Sequence, residues 1–203
     1  MTSIKSIFAA EKRTHAHIRE TPVLTSPFLD KIAGRRVLIK AECLQHTGSF
    51  KYRGAWSAIS ALREEDRKKG IIAYSSGNHG QGIAAVGQIF ACPVVIIMPS
   101  DAPKLKIENT KSYGAEVILY DKTNESREEL GSIIAKKRGL NLIKPYDNHN
   151  VIAGQGTLGL ELASQLVQYD VKNADVLVCC GGGGLTAGVA IALSEVNPNL
   201  RVR

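Results

Sequence analysis

Cysteine is scarce in this chain and badly spaced for its usual tasks. The four residues are Cys43, Cys92, Cys179 and Cys180, and no two form a Cys-x-x-Cys pair. That speaks against a zinc site or a disulfide framework and favours a reducing compartment, with the cytoplasm as the expected location. Only five histidines occur, none in a His-Glu-x-x-His arrangement, so no metal ligand set is expected. Aromatic residues make up 5%, too few for an interleaved stacking surface, and nucleic acid is not an expected partner. No apolar run approaches the length of a membrane span. Residues 4–18 are basic and weakly amphipathic, but Glu11 and Glu20 argue against a transit peptide. A Gly-Lys-Ser/Thr loop is missing, and no serine is framed as Gly-x-Ser-x-Gly, which removes the Walker loop and the hydrolase elbow. The net charge of +7 has no concentrated patch. Its densest groups, Arg67-Lys68-Lys69 and Lys136-Lys137-Arg138, each precede a glycine, where cations complement the end of a helix dipole.

What remains is an ordinary globular composition, 44% hydrophobic and 22% charged, in a regular alternation. The spacing of Ile4, Ile7 and Phe8 predicts a helix over 3–18, ended by Thr21-Pro22. A strand is expected over 37–42, then a helix carrying Trp56, Ile59 and Leu62 as far as Gly70. Strands follow at 71–74, 94–98, 116–120 and 141–143. Helices between them pass through Ile83 and Val86, open at Pro103, and start at Thr123 or Asn124. A helix over 153–167, a strand over 175–180 and a helix from Thr186 to Val196 complete the pattern. Such alternation implies right-handed βαβ units, a parallel sheet and an α/β fold. The final residues, 200–203, fall where another strand should begin, so the C-terminus is expected to cut through an element.

Three stretches carry chemistry. Lys51 stands at the mouth of a predicted helix in Ser49-Phe50-Lys51-Tyr52-Arg53-Gly54. A lysine so placed can lose its proton through burial and attack a carbonyl, although most lysines are simply solvated. Ser75-Ser76-Gly77-Asn78-His79-Gly80-Gln81 joins a strand to a helix, which suits either an anion or a plain capping turn. Gly181-Gly182-Gly183-Gly184 lies at another such junction. Glycines cost roughly 0.5–1 kcal/mol each relative to alanine in regular structure, a cost that makes sense where backbone must approach a phosphate. The pattern Gly182-x-Gly184-x-x-Ala187 also fits a dinucleotide loop, which keeps a nucleotide-binding dehydrogenase module as a rival reading. A lysine, a glycine loop and a Ser/Asn turn together form a parts list for pyridoxal phosphate (PLP).

The Lys51 stretch resembles the cofactor-lysine motif of the PLP-dependent serine/threonine dehydratase and serine racemase family, of the tryptophan-synthase-β type (fold type II). Thr21-Pro22-Val23-Leu24, Ser75–Gln81, Ile152-Ala153-Gly154-Gln155-Gly156-Thr157 and Gly181–Leu185 match in the same order, so the resemblance runs from about residue 4 to 203. It implies two three-layer αβα domains with mostly parallel sheets: a large one from 1–69 and 148–203, incomplete here, and a small one from 70–147. It implies that Lys51 forms the Schiff base and moves a proton at the substrate α-carbon. Phe50 packs near the cofactor, Asn78 bonds its ring hydroxyl, and Gly181, Gly182, Gly183, Gly184 and Leu185 cradle its phosphate. Ser75, Ser76, Asn78 and His79 face the substrate, and Arg127 arrives on closure. Ser76, opposite Lys51, distinguishes racemase-like members.

The activity so implied is release of ammonia from L-threonine, L-serine or a related β-hydroxy amino acid, with serine racemisation as the alternative. Full-length relatives are longer. The remainder is expected to hold the partner of the pyridine nitrogen and a divalent-cation site, and to support a homodimer, so the 203-residue piece alone is expected to be inactive or nearly so.

Overall fold

The computed structural model describes residues 1–203. Its centre is a four-stranded parallel sheet in the order β5-β4-β3-β6, built from β3 (Ile71–Tyr74), β4 (Val94–Pro99), β5 (Glu116–Tyr120) and β6 (Asn141–Leu142). The register pairs Ile71 with Val94 and with Asn141, and Val95 with Glu116. The two inner strands are buried on both faces, as their unbroken apolar sequences require. Alternation sends Ile71, Ala73, Ile96 and Met98 to one face, where they meet Ile59, Ile83 and Val86. These last residues come from α3 (Lys51–Ser60) and α5 (Asn78–Ile89). Ile72, Tyr74, Val95 and Ile97 point the other way, onto Leu130 and Ile134 of α7 (Arg127–Arg138). The third helix of this unit, α6 (Lys104–Ser112), lies beside α5 and contributes Ile107.

A second apolar cluster joins Leu158, Leu162 and Leu166 of α8 (His149–Leu166) to Val189 and Leu193 of α9 (Gly184–Val196). The N-terminal helix α1 (Ile4–Thr14) covers this pair through Ile7 and Ala10. Helices α3 and α8 cross at backbone distance: a side chain on Gly154 would lie 2.6 Å from Ser57 Cβ. At the margins stand two small sheets. β1 (Val23–Thr25) pairs antiparallel with β2 (Leu38–Lys40), and β7 (Ala174–Val176) pairs parallel with β8 (Leu200–Val202). Between β1 and β2 sits a short helix, α2 (Pro27–Ala33), opened by proline and closed by Gly34 at φ 64°. No helix is long and apolar enough to cross a membrane.

The mixed α/β class with a parallel sheet is as expected, while several boundaries differ. The helix expected to reach Gly70 breaks after Ser60, and Arg63 adopts extended backbone to start α4 (Glu64–Lys69). Three acids open that short helix and three bases close it, a charge order that matches a dipole of its own. Ser126, not Thr123 or Asn124, caps α7, its hydroxyl accepting from the Glu129 N–H. The strand expected over 175–180 shrinks to Ala174–Val176, because β8 offers only three partners; Leu177 is 84% exposed. Helix α9 starts two residues earlier than expected, inside the glycine run, and α8 starts at His149 under an Asn148 cap.

Candidate active site

Lys51 is the first residue of α3, and its side chain is half-buried. Burial pulls its pKa below that of an ordinary lysine. The amine lies 5.4 Å from the centre of the Phe50 ring and donates to the Pro145 carbonyl at 2.9 Å. The chain reaches this point through Thr47 and Gly48, both at positive φ. Next comes Ser49, whose hydroxyl is buried without a partner.

Helix α5 packs directly on this corner, with Gly82 against the Lys51 backbone. Its N-terminus therefore brings the Ser75–His79 turn beside the lysine. Ser75 is buried and its hydroxyl accepts from the Gly77 N–H at 3.0 Å, while Ser76 and Asn78 are exposed. His79 is fully enclosed, and its Nε2–H donates to the Ile143 carbonyl at 3.2 Å. Because a carbonyl only accepts, this bond fixes the tautomer and leaves Nδ1 as a buried acceptor without a partner. Burial, with a smaller contribution from the charge of Lys51, lowers the His79 pKa to about 4.

The glycine run follows β7. Gly181 and Gly182 are exposed, Gly183 has φ 81°, and Gly184 is buried as the first residue of α9. Leu185 packs into the second apolar cluster. A side chain on Gly182 would collide with the Tyr146 ring, whereas Gly181 and Gly183 border open space. No side chain caps α9 and no acid occupies its first turn, so its N–H groups are free for an anion. Thr186, in that turn, holds a buried hydroxyl with no partner.

One segment joins these parts, and the sequence reading missed it. The residues Ile143-Lys144-Pro145-Tyr146 leave the C-terminal end of β6. They receive His79 at the Ile143 carbonyl and Lys51 at the Pro145 carbonyl, and set Tyr146 against Gly182 and Gly184. The Tyr146 hydroxyl accepts from Arg127 Nη2 at 3.5 Å. Arg127 also lies 5.4 Å from the Tyr74 ring centre and pairs with Glu128 at 2.8 Å. It thus reaches the glycine side of the site, and no hydrogen bond ties it to the Ser75–Asn78 turn. The available signal was position: 143–146 follows a strand at the sheet edge where ligands of parallel sheets collect.

Beneath the lysine, Arg53 is completely buried. It forms ion pairs with Glu42 at 2.7 Å and Glu161 at 2.9 Å, and Lys40 also pairs with Glu161. Burial opposes the charge of Glu161, but Arg53 and Lys40 outweigh it and hold the carboxyl below its usual range. This cluster locks α3, α8 and the 42–44 turn together, so the backbone of Lys51 has little freedom. It was not foreseen, because Arg53 reads in sequence as one basic residue among many.

A half-buried amine with a lowered pKa, a glycine loop with free N–H groups and an unpartnered Thr186 hydroxyl are groups that a phosphate-bearing aldehyde would fit. The fold is of the α/β class with a parallel sheet. The chain belongs to the pyridoxal-phosphate dependent enzyme family, whose model matches residues 14–203. It is 42% identical over 199 residues to an L-threo-3-hydroxyaspartate ammonia-lyase of Pseudomonas sp., covering 98% of this chain and 61% of that protein. It is 41% identical to a serine racemase of Arabidopsis thaliana, covering 98% and 59%. The solved structure of maize serine racemase superposes with a TM-score of 0.92 at 38% identity, covering 99% and 60%. A solved threonine deaminase superposes with a TM-score of 0.91 at 44% identity, covering 98% and 63%. The chain thus spans about three fifths of the length of the curated relatives it matches. The fold-type II architecture expected from the resemblance is the one these neighbours share.

Proposed function

We propose that this chain carries the lysine and phosphate-loop part of a PLP-dependent ammonia-lyase for β-hydroxy amino acids. The observation that carries the reading is Lys51. Its amine is half-buried with a lowered pKa, and one four-residue segment links it to the glycine loop. PLP, when bound, acts as an electron sink that makes a substrate α-proton acidic. Gly181–Gly184, Leu185 and Thr186 would hold its phosphate with backbone N–H groups and one hydroxyl. Phe50 would border it, and Asn78 would reach its ring hydroxyl. Lys51 would hold the cofactor and, once the substrate takes the place of its amine, would take the proton from the substrate α-carbon. Ser75, Ser76, Asn78 and His79 bind the substrate carboxylate at the helix N-terminus, His79 by its backbone N–H because its ring nitrogen Nδ1 only accepts, and Arg127 closes the opposite side. Departure of the β-hydroxyl as water leaves, after hydrolysis, a 2-oxo acid and ammonia.

Serine racemisation is the second reading, and Ser76 favours it. Its hydroxyl is exposed at the turn beside Lys51 and could serve as the second acid or base. Residues 70–147 form the smaller of two lobes in this reading, moving against 1–69 and 148–203. The intact enzyme would be a cytoplasmic homodimer with a divalent-cation site outside this chain. Four free thiols suit that compartment. The test is spectroscopic. Added PLP should give a visible band, distinct from that of free cofactor, that is lost in Lys51→Ala; binding of NAD with no such band would refute the proposal. Product analysis of the full-length enzyme with L-serine, D-serine, L-threonine and 3-hydroxyaspartate, in wild type and Ser76→Ala, separates the two readings.

A further inference from the structure

Two thiols stand side by side in this chain and take no part in the site described above. Cys179 and Cys180 are free and exposed, and Cys180 directly precedes Gly181. They lie past the end of β7. Its ladder with β8 closes at Val176, and residues 177–180 have no strand partner. The peptide between the two cysteines is therefore free to turn so that both thiols meet one atom. Neither thiol is engaged, apart from a weak bond from Cys180 Sγ to the Gly181 carbonyl at 3.9 Å. The other two thiols differ. Cys92 is buried and donates to the Gly87 carbonyl at 3.5 Å, and Cys43 is exposed with no cysteine next to it in the chain. Adjacent Cα atoms are about 3.8 Å apart, short of the roughly 4.4–6.8 Å that an ordinary disulfide spans. A direct S–S bond is thus disfavoured, and the pair remains two thiols that a larger, soft atom can bridge.

We propose that Cys179 and Cys180 form a two-thiol site for a soft, thiophilic centre of the trivalent-arsenic class, and that filling it closes the glycine loop to phosphate. The probe is phenylarsine oxide. Each thiol gives its proton to the arsenical oxygen, which leaves as water. Two As–S bonds replace the As–O double bond, and arsenic stays trivalent. The resulting ring fixes the peptide next to Gly181 and sets a phenyl group beside a glycine that borders open space. The effect on the loop rests on the reading that Gly181–Gly184 takes a phosphate; the two-thiol site does not.

Phenylarsine oxide should bind one to one and withdraw both thiols of the pair from reaction with a chromogenic disulfide. A dithiol should reverse it where a monothiol at equal thiol concentration does not. Cys179→Ser and Cys180→Ser should each weaken the binding about hundredfold or more, because a single thiol forms no chelate, while Cys43→Ser should stay within about twofold of wild type. Inorganic phosphate titrated into the ¹⁵N-labelled chain should move the amide signals of Gly181 to Gly184 saturably. Filling the thiol site should weaken that phosphate binding about tenfold or more, and the dithiol should restore it. Arsenical binding that survives Cys180→Ser, an equal loss in Cys43→Ser, phosphate binding that the arsenical leaves unchanged, or no saturable phosphate shift in wild type would overturn the proposal. The cofactor reading is scored separately by the visible band of added PLP. Phosphate binding that the arsenical abolishes, without such a band, would leave this inference standing and remove the cofactor.

Discussion

His79 should make the protein's stability depend on pH well above the range where carboxylates titrate. The neutral ring donates from Nε2 to the Ile143 carbonyl, and protonation would add a buried N–H at Nδ1 with no acceptor. Its pKa falls from 6.5 to about 4 on folding. Between those values the unfolded chain binds a proton that the native chain refuses, so stability must rise with pH there. The His79 contribution is complete above pH 6.5 and is lost as pH falls toward 4. A shift of that size corresponds to roughly 3 kcal/mol, with a limiting slope of about 1.4 kcal/mol per pH unit. That is a large share of a typical domain stability of about 5–15 kcal/mol. Glu161, whose pKa lies below 4.5, acts at lower pH, whereas His46, held below 6.5 by burial and by Arg19, adds to the slope in the same window, so the His79 share is the difference between wild type and His79→Gln. Urea denaturation of wild type and His79→Gln at half-unit steps from about pH 4.5 to 7.5 measures the slope, and proton NMR of the His79 ring gives the native pKa directly. Parallel stability curves for the two proteins, or a native titration midpoint near 6.5, would refute the argument.

Four further outcomes follow from packing and charge. Arg53→Met removes the one ion-pair partner of Glu42 and leaves Glu161 with Lys40 alone, and should cost about 3–5 kcal/mol by urea midpoint, more than any exposed arginine; a loss below about 1 kcal/mol contradicts the ion-pair account. Gly154→Ala forces apart α3 and α8 and should destabilise by about 1–3 kcal/mol in the same assay. Gly182→Ala should weaken PLP binding more than Gly181→Ala in absorbance titrations, because only the first meets the Tyr146 ring; equal effects would deny Tyr146 its place at the loop. Tyr146→Phe frees Arg127 yet keeps the backbone carbonyls, so the substrate KM should rise by up to about tenfold with the cofactor band unchanged.

Much of this architecture could be read from local pattern. Buried strands declared themselves as apolar runs such as Ile71-Ile72-Ala73-Tyr74 and Val94-Val95-Ile96-Ile97, and their helices by glycines at Gly114 and Gly139. The site motifs could be read because their composition is costly: four glycines or a Ser-Ser-Gly-Asn turn need a reason. What stayed hidden depends on partners far along the chain. Arg53 differs from the other arginines through its carboxylate partners, one of which, Glu161, lies 108 residues away. Pro145 matters through a backbone carbonyl, which no side chain announces. The strand after Ala174 looked long because Val176–Val178 is apolar, yet its length was set by β8.

The segment 143–146 also ties the lysine, the glycine loop and Arg127 to one stretch of backbone. While Lys51 is free, its amine supplies a hydrogen to the Pro145 carbonyl. A Lys51 amine engaged elsewhere would leave the Pro145 carbonyl without this donor. The neighbouring residue, Tyr146, touches both the glycine loop and Arg127. A displacement of the Lys51 side chain would therefore act on a peptide unit whose next residue touches the glycine loop and Arg127. Amide exchange at Tyr146 and Asp147 should register whether the lysine is engaged before any substrate arrives.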